Sequence, residues 1–158
     1  MLPVARRNAR GDHLTMADVF TPEKRSRIMA LIRGWDTKPE LALRSMLHRL
    51  GYRFTVRGPK NRSLPGRPDL VLPKYRTVIF VHGCFWHGHA DCPAFRLPKS
   101  RSAWWSAKIS GNHARDLRNE AALRALGWHV VTIWECALRK KSDRTWLATR
   151  LPKLIGRV

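Results

Sequence analysis

Acidic side chains are scarce. The 158 residues carry 11 Asp+Glu against 31 Lys+Arg, a formal net charge of +20 with His neutral. Such an excess repels itself unless a polyanion neutralises it, and nucleic acid is the obvious polyanion. Ribosomal proteins share this excess, so charge names a class of partner and no reaction. Long apolar runs are also missing. Val78-Ile79-Phe80-Val81 is typical of the longest, far short of the roughly 20 residues that a membrane helix needs, so no membrane partner is expected. The opening MLPVARRNARGD has bases but no apolar stretch of a secretory signal. The expected location is the reducing cytoplasm, on the nucleoid. Cysteine is sparse and odd in number. In that compartment Cys84, Cys92 and Cys136 read as metal ligands or buried thiols and not as disulfides. No internal repeat or low-complexity tract is visible.

What is present suits one compact domain, with 44% apolar and 27% charged residues. Residues 1–15 are basic without apolar periodicity and are expected to form a disordered arm, with Met16 an alternative start. Thr21-Pro22-Glu23 supplies an N-cap, a proline at the first helical position and a first-turn acid, predicting a helix through Ile32. Thr37-Pro39-Glu40 repeats that signature, and Leu43, Met46, Leu47 and Leu50 follow at helical spacing before Gly51. Tyr52–Val56 reads as a strand and 58–68 as a Gly/Pro loop. Asp69–Leu72 and Thr77–Val81 read as strands joined by a hairpin at 73–76. A helix from about Ser102 is expected to break near Gly111, with a second from Asn112 to Leu126. A strand at 128–134 and a basic helix near 143–151 complete an α/β layout around a small mixed sheet flanked by helices.

Two constellations carry chemistry. Residues His82 to Cys92 hold several soft or imidazole donors, and Cys84-x₄-His89-x₂-Cys92 offers three ligands for tetrahedral Zn²⁺. If strands 77–81 and 128–134 run parallel side by side, Cys136 reaches the same edge as the fourth. The plain alternative is three small buried hydrophobes. Second, a hairpin closing at 74–75 pairs positions whose numbers sum to about 149. Asp69 then faces Phe80 or Val81, beside His82, where Mg²⁺ and a phosphate can sit. Alone, Asp69 would read as a strand-initiating cap or a partner of Arg67.

The segments LPGRPDLVL (64–72), VIFVHGCFWHGH (78–89) and WECAL (134–138), in this order, resemble the very short patch repair (Vsr) endonucleases over roughly residues 16–140. The resemblance implies a restriction-endonuclease-like fold over residues 16–158. It also implies a Mg²⁺-dependent nick 5′ of the T in a T:G mismatch left by deamination of 5-methylcytosine. By the same resemblance, Asp69 would bind Mg²⁺ with the Val81 backbone carbonyl, where the family commonly has threonine. His87 would activate the attacking water, Asp116 would orient His87, and His82 would stand near the phosphate. Glu40 would hold the metal's water shell. Cys84, His89, Cys92 and Cys136 would be the structural Zn²⁺ ligands. One departure is that the His89-to-Cys92 gap holds Ala90 and Asp91 where the family has one residue, which leaves Asp91 as an alternative to Cys92.

Elementary chemistry agrees. Phosphodiester hydrolysis needs an activated water and neutralised phosphate charge, and a carboxylate behind a histidine fixes its tautomer. Asp116 lies seven residues before Leu123 and so shares its helix face, although an exposed helix acid would look the same. Glu40 could equally be an ordinary first-turn acid. A mismatch is weakly stacked, and apolar wedges exploit that. Phe85, Trp86 and Trp105 match the family's wedge, with Trp104 an alternative to Trp105 and a core role the alternative for all. Trp128 and Trp134, inside a strand, are expected in the core. Lys24, Arg25, Arg27 and Arg33 on the first helix resemble the family's minor-groove contacts, though a basic helix face is commonly just solvated.

The expected partner is duplex DNA with a T:G mismatch, bound by a monomer with mismatch-repair proteins nearby. Two competing readings remain. One is a non-catalytic zinc-stabilised nucleic-acid-binding module, which leaves Asp69, His82, His87 and Asp116 without a shared purpose. The other is a nuclease of the same fold with another specificity. The E-x-K that such enzymes place on the second strand is absent, since that strand reads Ile79-Phe80-Val81-His82.

Overall fold

The computed structural model describes residues 21–31, 34–90, 92–93, 95–99 and 101–156. The expected arm at 1–15, Arg33 and Asp91 lie outside the described residues. Helices α1 (Pro22–Leu31), α2 (Lys38–Arg49) and the short α3 (Pro59–Ser63) precede strands β1 (Leu70–Leu72) and β2 (Thr77–His82). The long helix α4 (Ser102–Ala125) then leads to β3 (His129–Trp134), and α5 (Lys141–Ile155) ends the described chain. The sheet order is β1-β2-β3, with β1 antiparallel to β2 and β3 parallel to β2. The sheet is therefore small and mixed, as expected.

Alternation along the strands sorts the layers. Leu70, Leu72, Ile79, Val131 and Ile133 pack against Leu43 and Leu47 of α2 and Leu147, Leu151 and Ile155 of α5. Val71, Val78 and Val130 face the other way, onto Leu123 of α4. Phe80 packs against this second cluster. The period of two carries the same face on to His82, toward α4 and away from α2. The hairpin register is the expected one, with Leu70 opposite Ile79. Its turn is a 3₁₀ segment, Pro73–Tyr75, closed by Arg76 at φ 46°. Helix α2 starts on Thr37, whose side chain accepts from the Glu40 N–H, and ends before Gly51 at φ +84°.

Four expectations differ from what is observed. Tyr52–Val56 makes no strand, and only Thr55 bridges, to Val71, because β1 is three residues long and offers no ladder to extend. The 58–68 stretch contains α3, whose Asn61 is buried. Helix α4 runs unbroken through Gly111. One helical glycine costs about 1 kcal/mol, and the buried Ile109 and Asn112 on either side anchor the helix across it. Helix α5 extends to Ile155, past Pro152.

Candidate active site and metal centre

Strand β2 delivers His82 to a sheet edge, and Gly83–Gly88 then turn back through bonds from His87 N–H to Gly83 O (3.2 Å) and His89 N–H to Cys84 O (2.9 Å). Gly88 sits at φ +63°, and a Cβ there would lie 2.8 Å from Ile109 Cγ2. Glycine is therefore required for the turn to dock on α4. On that helix Ile109, Asn112, Asp116 and Leu123 recur at spacings of three, four and seven and share one face. Asn112 Nδ2 donates to Trp86 O at 2.8 Å, and Asp116 Oδ2 lies 2.6 Å from His87 Nδ1. The donor is Nδ1–H, since a carboxylate only accepts, which leaves Nε2 of His87 as the basic nitrogen. The His82 and His87 rings stack, 3.8 Å between centroids and 8° between planes. Burial, and after it the charge of His87, pulls His82 down to about 4, so at neutral pH it is an uncharged imidazole.

Asp69 stands just before β1, and its Oδ2 accepts the Val81 N–H at 2.7 Å. Burial pushes it up to about 6, against the lowering effect of that bond; the Glu40 charge adds to the rise. Among the described residues Oδ1 has no hydrogen-bond partner. Glu40 is buried and well bound: Thr37 Oγ1 donates to Oε1 (2.9 Å), and the Asp36 N–H (3.1 Å) and Arg44 Nη2 (2.9 Å) donate to Oε2. A cleft of about 560 Å³ is lined by Glu40, Asp69, Val81, His82, His87 and Asp116 together, with Trp86 and Arg67 on its walls. With Glu120 and Glu135, seven acids and histidines from distant parts of the chain thus line one cavity. An Asp carboxylate with a free oxygen in a cleft is a hard donor of the type that suits Mg²⁺.

Below the histidine pair, the ligand atoms of Cys84, His89, Cys92 and Cys136 all lie within 4.8 Å of one another. His89 Nδ1 is 3.4 Å from Cys84 Sγ and 3.6 Å from Cys136 Sγ. Burial pushes the Cys84 thiol up to about 12 and raises that of Cys136. Three sulfurs and one imidazole at this spacing could hold a metal ion; that donor set is of the type that suits Zn²⁺, and a bound cation would reverse the thiol shifts. Cys136 arrives from the 3₁₀ turn Glu135–Leu138 after β3, by the parallel pairing the expectation required.

Phe85, Trp86 and Trp105 are half-buried and form one cluster. Ring centroids lie 5.2 Å apart for Phe85–Trp86, 5.1 Å for Phe85–Trp105 and 5.9 Å for Trp86–Trp105. None belongs to the apolar core. Trp104 is 47% exposed and meets only the rim of this cluster, at Trp105. Lys24 and Arg27 are exposed on α1, whereas the Arg25 side chain lies outside the described residues.

Sequence reasoning missed four residues. Phe95 joins the aromatic cluster 6.5 Å from Phe85. Asn112 ties Trp86 to α4. Asn61 Nδ2 donates to Thr55 O (3.0 Å) and Pro68 O (3.1 Å), and its Oδ1 accepts from Thr55 (2.8 Å), fixing the loop that carries Asp69. Trp134, expected in the core, instead stacks on His89. Its signal was its place two residues before Cys136, matching His82 before Cys84. Trp128 does pack on the smaller core cluster.

A model of the family described as DNA mismatch endonuclease Vsr matches residues 17–93. The type II nicking enzyme V.XorIIP of Xanthomonas oryzae pv. oryzae is 49% identical over 140 residues, 89% of this chain and 98% of that protein. The DNA mismatch endonuclease Vsr of Escherichia coli (strain K12) is 46% identical over 130 residues, 82% of this chain and 81% of that one. The type II nicking enzyme V.NmeAIP of Neisseria meningitidis is 42% identical over 127 residues, 80% and 88% of the two chains. Among the described residues no helix is long and apolar enough to cross a membrane.

Proposed function

The chain belongs to the Vsr family of DNA mismatch endonucleases, and from that premise we propose that it nicks duplex DNA on the 5′ side of the T in a T:G mismatch. The reaction is Mg²⁺-dependent and belongs to the very short patch repair of deaminated 5-methylcytosine. The observation that carries this reading is the convergence of Asp69, His82, His87 and Asp116 on one cleft, with an aromatic cluster at its edge. A non-catalytic binding module has no use for that convergence.

His87, held through Nδ1 by Asp116, presents Nε2 to a water and takes its proton. His82, uncharged and stacked on His87, limits that ring's rotation and offers a hydrogen bond to a phosphate oxygen. Asp69 Oδ1 and the Val81 carbonyl would hold Mg²⁺. Glu40, its oxygens already engaged by Thr37, Asp36 and Arg44, would reach only the ion's water shell. When bound, the ion neutralises charge on the phosphate and leaving oxygen. Cys84, His89, Cys92 and Cys136 would hold a structural Zn²⁺ that ties the turn after β2 to the end of β3. Phe85, Trp86 and Trp105 would enter the stack at the mismatch, where unstacking costs least, and Lys24, Arg25 and Arg27 would contact DNA in the minor groove. We read the layered α/β architecture as restriction-endonuclease-like, and the protein as a cytoplasmic monomer on the nucleoid with mismatch-repair proteins nearby.

The test is a panel of G:T, A:C and fully paired duplexes with Mg²⁺, scored for single-strand nicks. Nicking confined to G:T supports the reading. Binding without scission would establish the non-catalytic module, and cleavage of paired duplex would establish another specificity.

A further inference from the structure

Trp134 and His82 are the register-paired last residues of β3 and β2. Each strand then leaves the sheet and delivers a cysteine two residues later, Cys136 and Cys84, to the four-ligand cluster. Trp134 stands between that cluster and the histidine pair. Its ring lies flat on His89, 4.1 Å between centroids and 1° between planes, and meets His82 edge-on at 5.5 Å and 72°. The stack of His82 on His87 and the Asp116 bond continue the series. Neither apolar core cluster includes Trp134, and the ring partners found for it are both histidines. Rings packed at such distances cannot shift independently, because a close-packed interior transmits displacement.

We propose that Trp134 is a positioning residue that couples the Cys84–His89–Cys92–Cys136 cluster to the His82–His87 pair, so that the catalytic ring orientation depends on the assembled cluster. The inference rests on the nuclease reading of the cleft. Trp134 touches no reacting atom and acts through His82. Changing outer groups that orient a site in this way typically costs about 10- to 100-fold in metal affinity or activity, and measuring zinc content beside rate separates the two.

The test uses the full chain loaded with zinc, as wild type, Trp134→Leu and Trp134→Phe. Zinc per chain, affinity for T:G duplex, single-turnover nicking rate and the imidazole proton NMR signals of His82 and His87 are measured. Trp134→Leu is expected to keep its zinc and duplex affinity, to nick about 10- to 100-fold more slowly, and to move both histidine signals. Trp134→Phe, which keeps a ring, recovers most of the rate. Exchanging zinc for the larger cadmium ion moves the His82 signal in wild type and leaves it in place in Trp134→Leu. Wild-type nicking by Trp134→Leu, a Phe variant as slow as the Leu variant, or a His82 signal indifferent to cadmium in wild type would each overturn the coupling. Should Trp134→Leu not fold, the cadmium exchange in wild type and the Phe variant decide it. A wild-type protein that nicks no T:G duplex would overturn the nuclease reading instead, and the NMR measurements would still decide the coupling.

Discussion

The Asp69 carboxylate and the Val81 backbone are joined across the β1–β2 hairpin, with Oδ2 accepting the Val81 N–H at 2.7 Å. One carboxylate oxygen is thus engaged by the hairpin, and the other has no hydrogen-bond partner among the described residues. Asp69→Asn keeps an acceptor for Val81 and loses the negative charge. Its melting temperature is expected close to wild type, with T:G nicking about 10²- to 10³-fold slower, the scale of losing one charge-stabilising group. A melting curve beside a nicking time course checks this, and an Asn variant with wild-type rate would remove Asp69 from the site.

Asp116 meets His87 at 2.6 Å with both side chains only partly exposed. Asp116→Asn can turn its amide N–H toward Nδ1 and stabilise the wrong tautomer. Nicking is expected to fall about 10²- to 10⁴-fold, the range of a lost general base, with duplex affinity unchanged. Single-turnover rates at saturating enzyme separate the two quantities.

For the cysteine cluster, Cys136→Ala is expected to lose its zinc and to lower the melting temperature by roughly 5–15 °C, as a loss of about 2–4 kcal/mol does in a domain of this size. Metal content by mass spectrometry and calorimetry report both. One zinc per chain retained after that change would strike Cys136 from the ligand set.

Phe85 and Trp105 meet at 5.1 Å on a half-exposed surface. Replacing either with Ala is expected to reduce the preference for T:G over paired duplex by about 1–3 kcal/mol, the scale of base–aromatic stacking. The ratio of the two dissociation constants at one ionic strength is the measurement, because salt alters the charge-driven affinity for both duplexes. An equal loss on both duplexes would assign these rings to general DNA affinity.

Asn61 is 1% exposed and bonds the carbonyls of Thr55 and Pro68. Asn61→Ala leaves buried acceptors unpaired, each costing about 1–3 kcal/mol. A lower melting temperature is expected, together with slower nicking, as the Asp69 loop loosens. An unchanged melting curve would show that water replaces the amide at no cost.

Much of the site was legible because its geometry is local. The four residues Pro73–Arg76 fix the hairpin register, and a period of two then places Asp69 beside Val81 and turns His82 toward α4. Cys84, His89 and Cys92 lie in one segment, and Cys136 needed only the parallel pairing of β2 with β3. What stayed hidden depends on packing between distant segments. Gly111 weakens a helix locally, yet Ile109 and Asn112 anchor it on both sides. Asn61 sits in a Gly/Pro-rich stretch with no periodicity, and its purpose is visible only once Thr55 and Pro68 surround it. Tyr52–Val56 has strand-forming residues but no neighbouring strand long enough to receive them. Trp134 looks like any sheet tryptophan until His82 and His89 stand on either side of it.

Because β2 and β3 end in register at His82 and Trp134, a slip of one residue between them would turn β3's side chains to the opposite face. The same error would carry Cys136 away from Cys84 and strip His82 of its neighbour. One strand pairing thus sets both the cysteine cluster and the surroundings of His82.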